Sequence, residues 1–233
     1  MHSYNKIREP ERLVLVSIMI TSLLLFLGSA EISSSAKLSP FDDALFIFCH
    51  WFTNPLTIRI ALFFSLFGTG AFLIPAYLII VHFLIKLKYE KYAFMVFTIV
   101  VTSLLCGWLL KFIFHRHRPS VPLVHGAGWY SFPSGHALGI FTFSGICLFL
   151  LWKMNYSIYR KWLLSILLII LGCTVGLSRI FLHVHYATDV IGSLFFSVFW
   201  ILSVYITFRM ICGAELHKKK TIEPDFNEIL RGD

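Results

Sequence analysis

Six long apolar runs, separated by short polar segments, form the main pattern of this chain. They cover residues 13–30, 60–85, 92–110, 137–152, 162–178 and 190–208. A helix needs about 20 mostly apolar residues to cross the hydrocarbon core of a bilayer, and the two shortest runs can reach that length with their flanks. The pattern predicts an all-α polytopic bundle of six transmembrane helices. We expect one membrane-embedded domain over residues 1–233, with a short basic cytoplasmic tail at 213–233.

The first run also fits a second interpretation. Lys6, Arg8 and Arg12 precede it and the small residues of "LGSA" end it, which resembles a signal peptide with a cleavage site. Its 18 residues are long for the apolar part of a signal peptide, which favours a retained span. Both interpretations place residue 31 on the far side of the membrane.

Composition and charge support a membrane protein and give its orientation. The chain is 58% hydrophobic and 14% charged, whereas a soluble domain is about half apolar and about a quarter charged. With a cytoplasmic N-terminus, 14 of the 20 Lys and Arg residues fall in the four cytoplasmic segments, as the positive-inside rule requires. The net charge of +8 therefore indicates topology in a cell membrane, and no nucleic-acid partner is expected.

Six basic residues remain on the outer side, where topology gives no reason for them. They are Lys37, Arg59, Lys111, Arg116, Arg118 and Arg179. Several lie at the ends of apolar runs, where ionisable groups are expensive and usually functional. We therefore expect the functional site on the extracytoplasmic face.

A short outer segment, residues 39–52, has the pattern of a helix start. Ser39 fits the N-cap, Pro40 the first helical position and Asp42 the third. The apolar body that follows is too short to span a bilayer. We expect it to lie in the membrane interface or to fold over the bundle.

Three polar clusters fall on this outer side: "KFIFHRHRP" (111–119), "PSGH" (133–136) and "SRIFLHVHYATD" (178–189). Lys111, Arg118 and Arg179 would repel one another unless an anion lay between them. Phosphate suits such a cluster, because arginine matches its oxygens and lysine adds a point charge. Ser134 can cap the fourth span, and the free N–H groups beside Gly135 can face the anion.

Two histidines in these clusters suit phosphoryl transfer. His185 and Asp189 are four residues apart, so on a helix they share one face. A carboxylate that accepts the Nδ1 proton leaves Nε2 free to attack phosphorus. His136 has no carboxylate nearby in the sequence and suits a proton donor to the leaving oxygen.

At these positions the chain resembles the type 2 phosphatidic acid phosphatase (lipid phosphate phosphatase) superfamily. The resemblance rests on Lys111-x6-Arg118-Pro119, Pro133-Ser134-Gly135-His136 and Ser178-Arg179-x5-His185-x3-Asp189. It implies a metal-independent hydrolase that needs no cofactor and acts on a membrane lipid phosphate through a phosphohistidine. The implied catalytic residues are His136, His185 and Asp189, and the implied phosphate-binding residues are Lys111, Arg118, Ser134, Gly135 and Arg179.

The resemblance leaves the substrate open. Its candidates are undecaprenyl diphosphate, phosphatidylglycerophosphate, phosphatidic acid, diacylglycerol diphosphate and the phosphates of lipid A, and the motifs recognise only the phosphate they share. The oligomeric state is open as well. We expect specificity to reside in residues 31–59 and 120–132.

Four other functions were weighed against this one. A lipid phosphoryltransferase would use the same intermediate. An anion transporter would need polar groups at the membrane midplane, where the spans offer few beyond Ser and Thr. A metal enzyme is disfavoured because His183 and His185, two apart on a helix, would diverge. A catalytically silent protein would show a broken motif, and no motif is broken.

Overall fold

The computed structural model describes residues 9–35, 39–124 and 130–222, with the helical backbone alone for 212–222. Each regular element in these ranges is an α-helix. They are α1 (Glu9–Ser34), α2 (Pro40–Trp51), α3 (Pro55–Leu66), α4 (Gly70–Lys86), α5 (Glu90–Phe114), α6 (Gly135–Lys153), α7 (Ile158–Phe181) and α8 (Ala187–Ile222). The predicted all-α class is confirmed.

The six predicted spans are also confirmed by length and composition. The helices long and apolar enough to cross a membrane are Glu9–Ser34, Pro55–Lys86, Glu90–Phe114, Gly135–Lys153, Ile158–Phe181 and Ala187–Ile211. The largest difference from the predicted boundaries lies at the end of the last helix. The last helix continues to Ile222, so the first ten residues of the predicted tail are helical, while residues 223–233 lie outside the described residues.

The second span is broken where the sequence pattern predicted one continuous run. α3 ends at Leu66 and α4 begins at Gly70. Within the break, the N–H of Gly68 donates to Ser65 O at 3.0 Å, and the N–H of Thr69 donates to Leu66 O at 3.0 Å. These shorter-range bonds satisfy backbone groups that hydrocarbon could not.

Gly68 allows this break to pack directly on the start of α6. A Cβ at this position would lie 2.9 Å from the Cβ of His136 and 3.0 Å from its carbonyl oxygen. Only a residue without a side chain permits that approach. The broken span thus lies next to one of the predicted site residues.

The predicted outer helix forms as α2, and its start is confirmed. Ser39 is the N-cap, and its hydroxyl accepts the N–H of Asp42 at 3.1 Å. Cys49 packs in a buried cluster with residues of α6, α7 and α8. The opposite face exposes Phe48 and Trp51. The helix therefore folds over the bundle and presents an apolar surface outward, which suits the membrane interface.

The core lies along α8, the most extensively packed helix. α1, α6 and α5 each pack against it. Phe26 of α1, Phe132 and Phe196 of α8 form an aromatic cluster, with ring centroids 5.2–5.7 Å apart in the pairs that include Phe26. This cluster supports the segment that leads into α6.

Candidate active site

The three sequence motifs meet at one end of the bundle. Lys111 lies in the last turn of α5, Ser134 immediately precedes α6, and His185 lies in the connection between α7 and α8. The N–H of Ser134 donates to Asp189 O at 3.4 Å. Arg118 donates to Val184 O at 2.7 Å. All three segments are thus joined by direct contacts.

His185 and Asp189 do contact each other, but in a different way from the one that the spacing predicted. His185 lies in the loop 182–186, and only Asp189 is helical. His185 Nδ1 lies 3.3 Å from Asp189 Oδ2 and 3.2 Å from Ser131 Oγ. The same Oδ2 accepts the N–H of Tyr186 at 2.9 Å. Asp189 therefore reaches back from the first turn of α8, where N–H groups and the helix dipole favour a carboxylate.

The surroundings of His185 indicate which nitrogen carries its proton. Arg118 Nη1 lies 3.2 Å from His185 Nε2, and a guanidinium can only donate. We infer that Nε2 is the acceptor and that Nδ1 holds the proton. Burial, together with the charges of Arg118 and Lys111 and against the effect of Asp189, lowers the pKa of His185 to about 3. The imidazole is therefore neutral near pH 7, as a nucleophile must be.

Lys111 is held by backbone oxygens of the segment before α6. Its Nζ donates to Pro133 O at 2.6 Å, to Tyr130 O at 3.0 Å and to Ser131 O at 3.3 Å. These three bonds match the three donors of an ammonium group. In this arrangement Lys111 shapes the loop and contributes its charge to the site.

Arg179 is buried near the end of α7, and only some of its guanidinium N–H groups make hydrogen bonds among the described residues. One nitrogen, Nη1, donates to Ser65 Oγ at the end of α3. Its Nε has no hydrogen-bond partner among the described residues. A buried donor without a partner costs free energy, so this group is available to an anion.

The start of α6 offers further free groups. Ser134 occupies the N-cap position, but its side chain makes no capping bond, contrary to the prediction. Its hydroxyl is buried and has no partner among the described residues. Next to it, a Cβ on Gly135 would find no heavy atom within 4 Å. A helix start with a free hydroxyl and open space beside its backbone suits an oxyanion.

His136 lies among the cations of the site. It is half-buried, and the charges of Arg179, Arg118 and Lys111 act on it. It follows Gly135 in the first turn of α6 and borders the break in the second span. The structure thus brings together every residue that the sequence predicted for the site.

Several residues around the site were not assigned from the sequence. Ser131 donates its hydroxyl to Asp189 Oδ2, and Ser65 holds Arg179. Arg116 was noted only as an unexplained outer cation, yet it is 9% exposed and binds Asp189. A buried arginine near a motif was the available signal for Arg116. No local pattern pointed to Ser65, because its partner lies 114 positions away.

The other histidines near the motifs point away from a shared centre. His183 has a left-handed backbone (φ 54°) outside any helix, so the helical argument against its pairing with His185 does not apply. Its ring lies 4.3 Å from that of Phe46. His115 packs on Tyr130 with centroids 4.5 Å apart. Within the described residues, no group of three His, Cys, Asp or Glu side chains could hold a metal; His125 lies outside them.

The charges of the site match a phosphate group. The cations are Lys111, Arg116, Arg118 and Arg179, and the carboxylates are Asp42 and Asp189. With neutral histidines, these six groups carry a net charge of +2. A phosphate monoester carries about −1.5 to −2 at pH 7. The site is therefore electrostatically complementary to a phosphate dianion.

Comparison with known proteins gives relatives that match parts of this chain. Phosphatidylglycerophosphatase B of Bacillus subtilis (strain 168) is 31% identical over 127 residues, which cover 54% of this chain and 62% of that protein. Lipid A 4'-phosphatase of Bacteroides thetaiotaomicron is 28% identical over 171 residues, or 66% of this chain and 71% of that protein. The match thus spans less than two thirds of the Bacillus relative.

A solved structure shows the same fold. The crystal structure of a transmembrane PAP2 type phosphatidylglycerolphosphate phosphatase from Bacillus subtilis superposes with a TM-score of 0.74 at 25% identity. The superposition covers 83% of this chain and 96% of that one. The family model described as PAP2 superfamily matches residues 91–211, more than half of the chain, including all three motifs. This six-span membrane protein therefore belongs to the PAP2 superfamily.

Proposed function

We propose that this chain is a membrane phosphatase that removes a phosphate group from a lipid phosphate monoester or diphosphate through a phosphohistidine on His185. The observation that carries the proposal is the orientation of that imidazole. Its Nδ1 faces Asp189 and Ser131, and its Nε2 faces Arg118. A buried neutral histidine whose free nitrogen faces an anion-binding cation is placed for attack on phosphorus.

The reaction proceeds in two steps. First, the phosphate of the bound lipid offsets the charges of the cations around His136, so that its imidazole is protonated. His185 Nε2 then bonds to phosphorus, the bond from phosphorus to the lipid oxygen breaks, and the His136 imidazolium donates its proton to that oxygen. Second, water attacks the phosphohistidine while His136 accepts a proton from it, and the phosphorus–nitrogen bond breaks. Inorganic phosphate leaves, and both histidines return to their starting states. Asp189 stabilises the positive charge that develops on the imidazole of His185.

The remaining predicted residues hold the phosphoryl group. Arg118 and Arg179 supply guanidinium donors, and the unpartnered Arg179 Nε is one of them. The free hydroxyl of Ser134 and the N–H groups that begin at Gly135 face the same oxygens. Lys111 adds positive charge while holding the loop. Such fixed donors stabilise the charge of the transition state without reorganisation, and the mechanism requires no metal or cofactor.

The membrane position supports a lipid substrate. The site lies where α5 and α7 end and α6 begins, so the phosphate can enter while the tail remains in hydrocarbon. The positive-inside distribution of basic residues supports an extracytoplasmic site in the cell membrane. The relatives named above are lipid phosphatases by name. We propose a lipid of that kind and leave water or a second lipid as acceptor to experiment.

A substrate panel tests the proposal. Purified protein in detergent is mixed with phosphatidylglycerophosphate, phosphatidic acid, diacylglycerol diphosphate, undecaprenyl diphosphate and a lipid A preparation, and free phosphate is measured. We expect release from at least one lipid, no loss in EDTA, and inhibition by orthovanadate, which resembles five-coordinate phosphorus. Strong inhibition by EDTA would instead favour a metal mechanism, and indifference to orthovanadate would contradict the phosphate site.

His185→Ala tests the nucleophile, with His82→Ala as its matched control. His82 lies exposed on α4, outside the site. Loss of a nucleophile costs several orders of magnitude, roughly 10⁴-fold or more in kcat, whereas the control should keep its activity. Radiolabelled substrate should leave an acid-labile phosphate on the wild type and none on His185→Ala. Full activity in His185→Ala would refute the assignment.

A further inference from the structure

Arg116 joins three elements through one buried side chain. Its Nη1 donates to Asp189 Oδ1 at 2.6 Å and to Thr188 Oγ1 at 2.6 Å. Its Nη2 donates to Asp42 Oδ2 at 2.7 Å. The side chain of Arg116 is 8% exposed and both carboxylates are fully buried. The guanidinium carbon of Arg116 lies over the ring of Tyr186, 4.3 Å from the ring centroid.

Asp42 is the residue through which α2 reaches this cluster. Its carboxylate accepts Arg116 Nη2, the N–H of Thr188 at 2.9 Å and the hydroxyl of Thr188 at 2.7 Å. The cap of Ser39 on Asp42 fixes the start of α2 and hence the direction of that carboxylate. The first turns of α2 and α8 are therefore tied together through one carboxylate and one guanidinium.

The two oxygens of Asp189 have separate partners because of this cluster. Oδ1 is bound by Arg116, while Oδ2 receives Ser131, His185 and the N–H of Tyr186. Without the cation, two buried carboxylates would face each other uncompensated, which is costly. Burial opposes the charge on Arg116, but Asp189 and Asp42 together raise its pKa. The guanidinium therefore remains charged and fixes the carboxylate on one side.

We propose that Arg116 and Asp42 are positioning residues for phosphoryl transfer, Asp42 by holding Arg116 and Arg116 by holding Asp189 so that Oδ2 faces His185. Arg116 occupies one of the unspecified positions between Lys111 and Arg118, and Asp42 lies outside the three motifs; the proposed mechanism gives neither of them a contact with the phosphate. The inference rests on the proposed function. It makes α2, the helix that covers the bundle, part of the support for the nucleophile.

Kinetics of substituted proteins test this role. Arg116→Gln and Asp42→Asn are compared with wild type on the lipid that the wild type hydrolyses best, with Arg160→Gln, an exposed cation outside the site, as control. We expect kcat to fall about 10–100-fold, as for other outer-shell partners of functional histidines. KM and inhibition by orthovanadate should change less than about 2-fold, because the phosphate-binding groups are untouched.

A double substitution and a conservative one sharpen the result. Because Asp42 acts through Arg116, Asp42→Asn combined with Arg116→Gln should lose no more kcat than Arg116→Gln alone. Arg116→Lys should recover only part of the loss, since one ammonium cannot fork between two carboxylates. If Arg116→Gln fails to fold, Asp42→Asn decides the question, because it keeps the ion pair between Arg116 and Asp189.

The outcomes separate this inference from the function on which it rests. An inactive wild type overturns both. An active wild type with unchanged kcat in Asp42→Asn and in each folded Arg116 variant overturns the positioning role alone. A raised KM with unchanged kcat also overturns it, because the pair would then act in substrate binding.

Discussion

The two ends of the helix bundle differ in the polar groups that they bury. At the end that holds the site, Arg116, Asp189 and His185 are almost fully enclosed, and each is fixed by named hydrogen bonds. At the opposite end, the buried group consists of apolar side chains, among them Met95 and Ile146. A cleft of about 400 Å³ lies beside these, lined mostly by apolar side chains.

This difference indicates that one end of the bundle serves the reaction and the other end serves the stability of the fold. Polar groups in hydrocarbon are expensive and persist where they perform a function, so changes at the site end should alter the rate first. Apolar packing at the other end adds stability that depends on volume. We therefore expect substitutions of the groups that react or bind phosphate to change kcat at nearly constant stability, and substitutions at the far end to do the reverse.

His136→Gln should give the largest effect of the four predictions that follow. Glutamine has no titratable group to protonate the leaving oxygen, and general acid catalysis typically contributes about 10²–10⁴-fold. We expect kcat to fall by that range, measured as phosphate release at saturating lipid, while the thermal unfolding midpoint stays close to that of the wild type. Unfolding at much lower temperature would show that His136 is structural as well.

Gly135→Ala and Gly28→Ala form a matched pair. In both cases the new Cβ meets no heavy atom within 4 Å, so neither change should disturb folding. At Gly135 the methyl group would occupy the open space beside the start of α6, where we place the phosphate. We expect Gly135→Ala to lose about 10²–10³-fold in kcat/KM, the typical cost of one transition-state hydrogen-bond donor, and Gly28→Ala to lose nothing. Equal activities would move the phosphate elsewhere.

Met95→Ala tests the opposite end of the bundle. Met95 is 2% exposed and lines the cleft, so its truncation enlarges an existing space. Loss of a buried methionine typically costs about 2–5 kcal/mol of stability. We expect a lower thermal unfolding midpoint in detergent with kcat within about 2-fold of the wild type. A large loss of kcat at unchanged stability would show that the two ends are coupled.

The pH dependence should be the smallest effect. The pKa of His185 is lowered to about 3, so its imidazole stays neutral from pH 8 down to pH 5. After correction for the ionisation of the substrate phosphate, we expect no loss of kcat/KM near pH 6.5 from protonation of His185. Because the unfolded chain binds the proton nearer pH 6.5, this group's contribution to stability is complete above that pH and is lost as pH falls toward 3. A loss of kcat/KM below pH 6.5 that persists when each of the other histidines is substituted would contradict the lowered pKa of His185.

The spans and the site residues could be predicted because their signals are local. A run of apolar residues needs only its own length to indicate a span, and the three motifs carry their residues within 111–189. The helix start at Ser39 was predictable for the same reason, since the cap and Asp42 are three residues apart. The spans, the motif residues and the start of α2 could therefore be predicted from short stretches of sequence.

The supporting contacts could not be predicted, because they depend on packing between distant elements. Asp42 and Arg116 are 74 positions apart, and no local sequence pattern around either residue indicates their contact. The break at Gly68 was hidden by the apolar residues around it, although two glycines within 68–70 were a signal for it. The capping role given to Ser134 was wrong, because its hydroxyl makes no hydrogen bond within the part of the chain that the structure describes.

The interrupted second span has a consequence for how this protein responds to the thickness of the bilayer. A single rod from Pro55 to Lys86 would carry any tilt imposed by hydrophobic mismatch along its whole length. The break at 67–69 instead allows α4 to tilt separately from α3, while Ser65, which precedes the break, keeps its hydrogen bond with Arg179. We therefore expect the contact between Ser65 and Arg179 to depend little on the tilt of α4.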